Sequence, residues 1–185
     1  MIDEILESTS ESMTKSHEAL RATLSRIRSG RANAALLDSV RVDYYGAMTP
    51  LNQMATISAP EPRLIMVKPY DRTVVGAVEK AIQSADLGLN PSSDGEIIRI
   101  PVPPLTEETR RDLVKVVRKH GEEGKIAIRN HRRDANGMLK ELEAEGEASK
   151  DDVARALKKV QDLTDGAISK VDEILAGKEK EITEI

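Results

Sequence analysis

Apolar residues recur at seven-residue intervals near the start of the chain: Leu6, Met13, Leu20 and Ile27, with Ile2, Ile5 and Leu24 on or beside the same stripe. Such a stripe seals one face of a helix against neighbouring helices and predicts a bundle helix from residue 1 to about 29. A second stripe advances in steps of three and four from Leu113 through Val117, His120, Gly124, Ala127 or Ile128, His131, Ala135, Met138 and Leu142. A third runs through Val153, Leu157, Val160, Leu163, Ala167, Val171 and Ile174. Thr106 followed by Glu107 and Glu108 reads as a capped helix start, with acids on the positive end of the dipole. Gly146 and the run Ser149-Lys150-Asp151-Asp152 predict a turn followed by a capping box. A helix from 106 to 145 would be about 60 Å long, and a rod of that length needs partners along it.

Between these flanks the period changes. Val40, Val42 and Tyr44 alternate with Arg41 and Asp43, the mark of a half-buried strand. Segments 54–59, 63–68 and 96–100 are short, β-branched and bounded by Pro or Gly. Residues 73–85 return to helical spacing through Val74, Val78, Ala81, Ile82 and Ala85. All eight prolines lie between Pro50 and Pro104, and none lies in 1–49 or 105–185. Proline costs about 3 kcal/mol in a helix interior, so the flanks are free to be long helices and the middle is not. The expected fold is α+β: an elongated antiparallel three-helix bundle from 1–30 and 105–185, with a small α/β domain inserted at 31–104. The chain then crosses between domains twice, near 30–35 and 101–105, where Gly30, Pro101, Pro103 and Pro104 are candidate hinge residues.

Composition removes several functions. With no Cys, a disulfide framework, a thiol nucleophile and a cysteine-ligated metal are excluded. With no Trp or Phe and three Tyr, stacking of single-stranded bases on aromatic platforms is disfavoured. No apolar run is long enough to span a membrane, and the acidic start does not read as a targeting peptide, so the expectation is a cytoplasmic protein with no membrane attachment.

The net charge of −4 conceals a pattern. Residues 1–20 hold five acids and one base, and 141–185 hold thirteen acids and seven bases. Residues 21–37 hold Arg21, Arg26, Arg28 and Arg31 with no acid, and 105–140 hold ten bases against six acids. Lys125, Arg129, Arg132 and Asn136 share one helix face, with Arg118 further back and Arg133 beside it. No acid falls between Lys125 and Arg133. Arginine forks match phosphate oxygens in pairs, and a row of them on a stiff helix can follow a folded RNA by shape and phosphate. The same run also reads as a solvated face that keeps a long rod in solution.

No catalytic constellation emerges. His17, His120 and His131 stand too far apart in sequence for helical metal ligation, and two of them fall on the bundle stripe. Gly121-Glu122-Glu123-Gly124-Lys125 has the end of a phosphate-binding loop, but Lys119 stands where its first Gly belongs and Ile126 where Ser or Thr should follow. No cofactor or metal is expected.

Several motifs together resemble the bacterial ribosome recycling factor family. They are Ile27-Arg28-Ser29-Gly30-Arg31-Ala32, Leu36-Leu37-Asp38, Asp43-Tyr44-Tyr45-Gly46, Ser84 to Pro91, Pro103-Pro104-Leu105-Thr106-Glu107-Glu108 and Arg129 to Asn136, spread over the whole chain. The resemblance implies an L-shaped molecule with a three-helix bundle. It implies a translation factor that enters the post-termination ribosome and binds large-subunit RNA. With the GTPase elongation factor G and GTP, such a factor separates the subunits and is not itself an enzyme. It implies RNA contacts at Arg110, Arg129, Arg132 and Arg133, and at Arg28 and Arg31, in a chain expected to be a monomer in solution. His131 departs from the aliphatic residue that the family pattern implies on the bundle stripe. The alternative is a helical scaffold or adaptor that binds other proteins.

Overall fold

The computed structural model describes residues 1–184. In chain order it contains α1 (Ile2–Ser25), β1 (Arg41–Tyr44), β2 (Ala47–Pro50), α2 (Leu51–Met54), β3 (Ala55–Glu61), β4 (Leu64–Pro69), α3 (Val75–Ser84), β5 (Ser92–Ser93), β6 (Ile98–Pro101), α4 (Glu107–Ala144) and α5 (Lys150–Thr183). The described residues form two compact units, 1–24 with 112–184, and Ser25–Arg111. None of the described helices is long and apolar enough to cross a membrane.

The first unit packs α1, α4 and α5 together, with α4 antiparallel to the other two. Ser16 of α1 meets His131 of α4, Leu20 lies beside Gly124, and Arg118 and Arg132 of α4 reach Glu179 and Gln161 of α5. The α4–α5 turn closes as the sequence predicts. Gly146, at φ 74°, takes the left-handed conformation, while its N–H bonds to Glu143 and that of Glu147 to Leu142, the paired bonds that finish a helix. Ser149 then accepts from the Asp152 N–H at 3.1 Å and donates to its carboxylate at 2.6 Å. Thr106 likewise caps α4 by accepting from the Thr109 N–H at 3.2 Å.

The buried stripes differ from the expected ones in places. On α4 the fully buried positions are Val117, Gly121, Ile128, Ala135 and Leu139, and Met138 is 42% exposed. At position 121 the cause is local: a Cβ there would lie 2.9 Å from Leu175 Cγ and closer still to its methyls. Leu175 thus enters the space a side chain at 121 would fill, and α4 turns Gly121, not His120, inward. On α5 the core adds Ala156, Thr164, Leu175, Lys178 and Ile182 to the expected Val153, Val160, Ala167 and Val171, leaving Leu157, Leu163 and Ile174 half-buried. Thr164 is buried because its hydroxyl bonds the Val160 carbonyl one turn back, at 2.7 Å.

The second unit has an antiparallel sheet in the order β3-β4-β6-β5 and a separate β1–β2 hairpin. Ile65 lies opposite Ile100, and Val67 opposite Ile98, so alternate residues of β4 and β6 present one apolar face. That face packs with Val75, Val78 and Ile82 of α3 and with Leu37, Val40, Val42 and Leu51. The strand expected at 40–44 and those at 54–59, 63–68 and 96–100 all form; β2 and the two-residue β5 were not anticipated. Pro101, expected in the hinge, is instead the last residue of β6, opposite Leu64. Segments 30–35 and 101–105 fall inside this unit, and each is anchored to it, by Ala32 N–H to Pro62 O at 2.7 Å and Val102 N–H to Arg63 O at 2.8 Å.

Candidate nucleic-acid interface

Within the bundle unit, the basic row on α4 divides into two parts. Arg118 is gripped by Glu179, Nε to Oε1 at 2.8 Å and Nη2 to Oε2 at 3.4 Å, which pushes its pKa further up. Lys125 Nζ lies 2.7 Å from Asp172 and 3.6 Å from Glu122. The hydrogen bond to Asp172 raises the ammonium pKa against a smaller opposing effect of burial. These two cations are therefore neutralised where they stand. The basic face read along α4 from Arg118 to Arg133 is shortened, chiefly because α5 brings Glu179 and Asp172 against it.

The remaining arginines differ. Among the described residues, Arg129, Arg132 and Arg133 take part in no ion pair. Arg129 is exposed on the helix surface. Arg132 is half-buried and donates from Nη1 to Gln161 Oε1 at 3.3 Å. Arg133 is exposed and donates to Asn130 Oδ1. Three guanidinium groups within five residues of one stiff helix thus keep their charge. Neighbouring Asn136, half-buried, has a buried Oδ1 with no hydrogen-bond partner.

The other arginines implied by family resemblance belong to the second unit. Arg28 is half-buried, with Nη2 3.5 Å from the Pro103 carbonyl and a buried, unpartnered Nε. Arg110, in the first turn of α4, is half-buried and also has an unpartnered Nε. Arg31 is exposed. Gly30 is buried and adopts φ 75°, a conformation that disfavours any residue with a Cβ.

The histidines are engaged structurally. His17 Nε2 donates to the Ala167 carbonyl at 2.9 Å. This bond borders an apolar groove of about 720 Å³ between α1 and α5, lined by Leu6, Met13, Leu163 and Gly166 among others. His120 pairs with Glu123 at 3.1 Å. Ser16 donates to the Ser12 carbonyl at 3.2 Å, so it accepts from His131 Nε2 at 3.0 Å. His131 therefore ties α4 to α1 in place of an aliphatic contact and does not extend the basic row. Residues 121–125 lie wholly within α4, so they form no phosphate-binding loop. Among the described residues, no cluster of three His, Asp or Glu side chains could hold a metal ion.

Fold and site together define a two-unit α+β binding protein with a cationic helix face. The family model for the ribosome recycling factor matches residues 20–183. Over its whole length the chain is 53% identical to the ribosome-recycling factor of Sorangium cellulosum and 55% identical to that of Bacillus cereus, each also covered in full. A solution structure of the ribosome recycling factor superposes with a TM-score of 0.78 at 39% identity, covering 100% of this chain and 98% of that one. Another similar chain comes from models for the T. thermophilus ribosome recycling factor and the E. coli elongation factor G bound to the E. coli post-termination complex. Its TM-score is 0.69 at 48% identity, with 98% of each chain covered. The chain belongs to the ribosome recycling factor family, a family of translation factors.

Proposed function

We propose that this chain binds the post-termination ribosome and, with elongation factor G and GTP, promotes splitting of the subunits for a new round of synthesis. The observation that carries the RNA-binding part is the divided basic row. Arg129, Arg132 and Arg133 keep their charge on a rigid helix, while Arg118 and Lys125 are paired. A guanidinium outside any ion pair gains most from a phosphate, because no carboxylate must first release it. Arg110, Arg28 and Arg31 are proposed as further contacts to large-subunit RNA. Gly30, Pro103 and Pro104 are proposed as flexing points of the two chain crossings, beyond the bonds that anchor Ala32 and Val102. In this reading the factor acts mechanically in the cytoplasm, and nucleotide hydrolysis belongs to the elongation factor.

The test is subunit splitting from post-termination ribosomes, followed by light scattering, with elongation factor G and GTP present throughout. Adding the wild-type chain should accelerate splitting, and Arg132→Ala should slow it sharply while leaving helical content unchanged. Splitting that is indifferent to the chain would overturn the proposal and favour a protein-binding scaffold.

A further inference from the structure

Cations on α4 are held in two chemically different ways. Arg118 and Lys125 are held by carboxylates, which fix the side chain and cancel its charge. Arg132 and Arg133 are held by side-chain amide oxygens, of Gln161 and Asn130. An amide oxygen is a neutral acceptor, so it restrains a guanidinium and leaves the full positive charge in place.

Gln161 is itself oriented. Its Nε2 donates to Asp165 Oδ1 at 2.8 Å, one helical turn further along α5. An ionised carboxylate only accepts, so it selects the NH2 end of the amide and turns Oε1 toward Arg132. The chain Asp165, Gln161, Arg132 thus places a carboxylate one residue removed from the guanidinium. With Nη1 engaged at 3.3 Å, the Nε–Nη2 edge of the fork remains for a pair of phosphate oxygens. Holding the arginine beforehand also reduces the side-chain entropy lost when it binds.

We propose that Gln161 is a positioning residue for Arg132, aiming its guanidinium at RNA phosphate without neutralising it. This rests on the reading above, in which Arg132 meets large-subunit RNA. The experiment measures binding of the full-length chain to purified large ribosomal subunits across a salt series, with urea unfolding as the control for folding. Gln161→Glu puts a full negative charge where the neutral acceptor stands. It should weaken binding about tenfold or more, approaching the loss in Arg132→Ala, and flatten the salt dependence by about one phosphate contact. Its urea midpoint should change little, since the ion pair gained with Arg132 offsets the hydrogen bond lost to Asp165 and the repulsion between the two carboxylates. Gln161→Ala, which frees the arginine but leaves its charge, should lose less affinity and keep the wild-type salt slope. The double variant Gln161→Glu/Arg132→Ala should bind no worse than Arg132→Ala alone, since the effect passes through Arg132. Additive losses would mean that the new carboxylate repels RNA directly, and would overturn the positioning role. Wild-type binding by Gln161→Glu alongside weakened Arg132→Ala would also overturn it and leave the RNA-contact reading standing. Wild-type binding by Arg132→Ala would remove both.

Discussion

Gly121 and Gly137 lie on the same helix, so replacing each with Ala isolates what packing does at position 121. Both are interior to α4, and each substitution gains about 1 kcal/mol of intrinsic helix propensity. At Gly137 nothing lies within 4 Å of an added Cβ, so the gain should be kept. At Gly121 the methyl would stand 2.9 Å from Leu175 Cγ and nearer its methyls. Leu175 is only 9% exposed, so it has little room to move aside. Forcing a methyl into a packed interior costs about 1–3 kcal/mol, which offsets or exceeds the propensity gain. Gly137→Ala should therefore stabilise the bundle by about 1 kcal/mol. Gly121→Ala should be neutral to destabilising by about 2 kcal/mol, the overpacking cost less the propensity gain. The assay is urea unfolding followed by far-UV ellipticity, dominated by the long helices. Tyrosine fluorescence follows the other unit separately, since Tyr44, Tyr45 and Tyr70 all lie there. Equal stabilisation by the two substitutions would refute the close approach of α4 and α5 at Gly121.

Two further predictions concern local polar networks. Asp94 accepts from the N–H groups of Glu96 and Ile97 at 3.1 and 3.0 Å and from Arg99 at 3.0 Å, and these bonds pull its pKa down to about 2. A carboxyl depressed in the folded state adds stability above its ordinary pKa of 3.8 and loses it as pH falls toward 2. Asp94→Asn should thus destabilise the second unit at neutral pH, with the difference from wild type vanishing near pH 2, as read by tyrosine fluorescence in urea. Ser149→Ala should cost the bundle about 1 kcal/mol through loss of the α5 cap. It should also move the Asp152 pKa back up, because the Ser149 hydroxyl is the main cause of its depression; carboxyl chemical shifts against pH would show this.

Much of the architecture was legible because its causes are local. Proline cannot sit inside a helix, so its confinement to residues 50–104 separated the long helices from the α/β region. The capping residues Thr106 and Ser149 act within three positions of themselves and were readable for the same reason. Contacts between distant segments were not readable. The stripe on α4 takes Gly121 in place of His120 because Leu175, fifty-four residues beyond Gly121, fills the space that glycine leaves. The basic row shows the same limit. Counting charges along α4 finds no acid between Lys125 and Arg133, yet Asp172 and Glu179 come from α5 to neutralise Lys125 and Arg118. Gln161 carries no signal in the sequence, because a lone glutamine on a helix of mixed charge says nothing until its position opposite Arg132 is known. The two-residue strand β5 lacks the length for any periodicity to be read.

The most direct test compares two variants for binding to large ribosomal subunits over a range of salt. One replaces the unpaired Arg129, Arg132 and Arg133 with Ala, and the other replaces the paired Arg118 and Lys125. If the unpaired face engages phosphate, the triple variant should bind far more weakly, with a log–log salt slope shallower by about two to three. The double variant should keep nearly the wild-type affinity and slope. Equal losses in both variants, or an unchanged slope in the triple variant, would contradict the claim that this face grips the RNA.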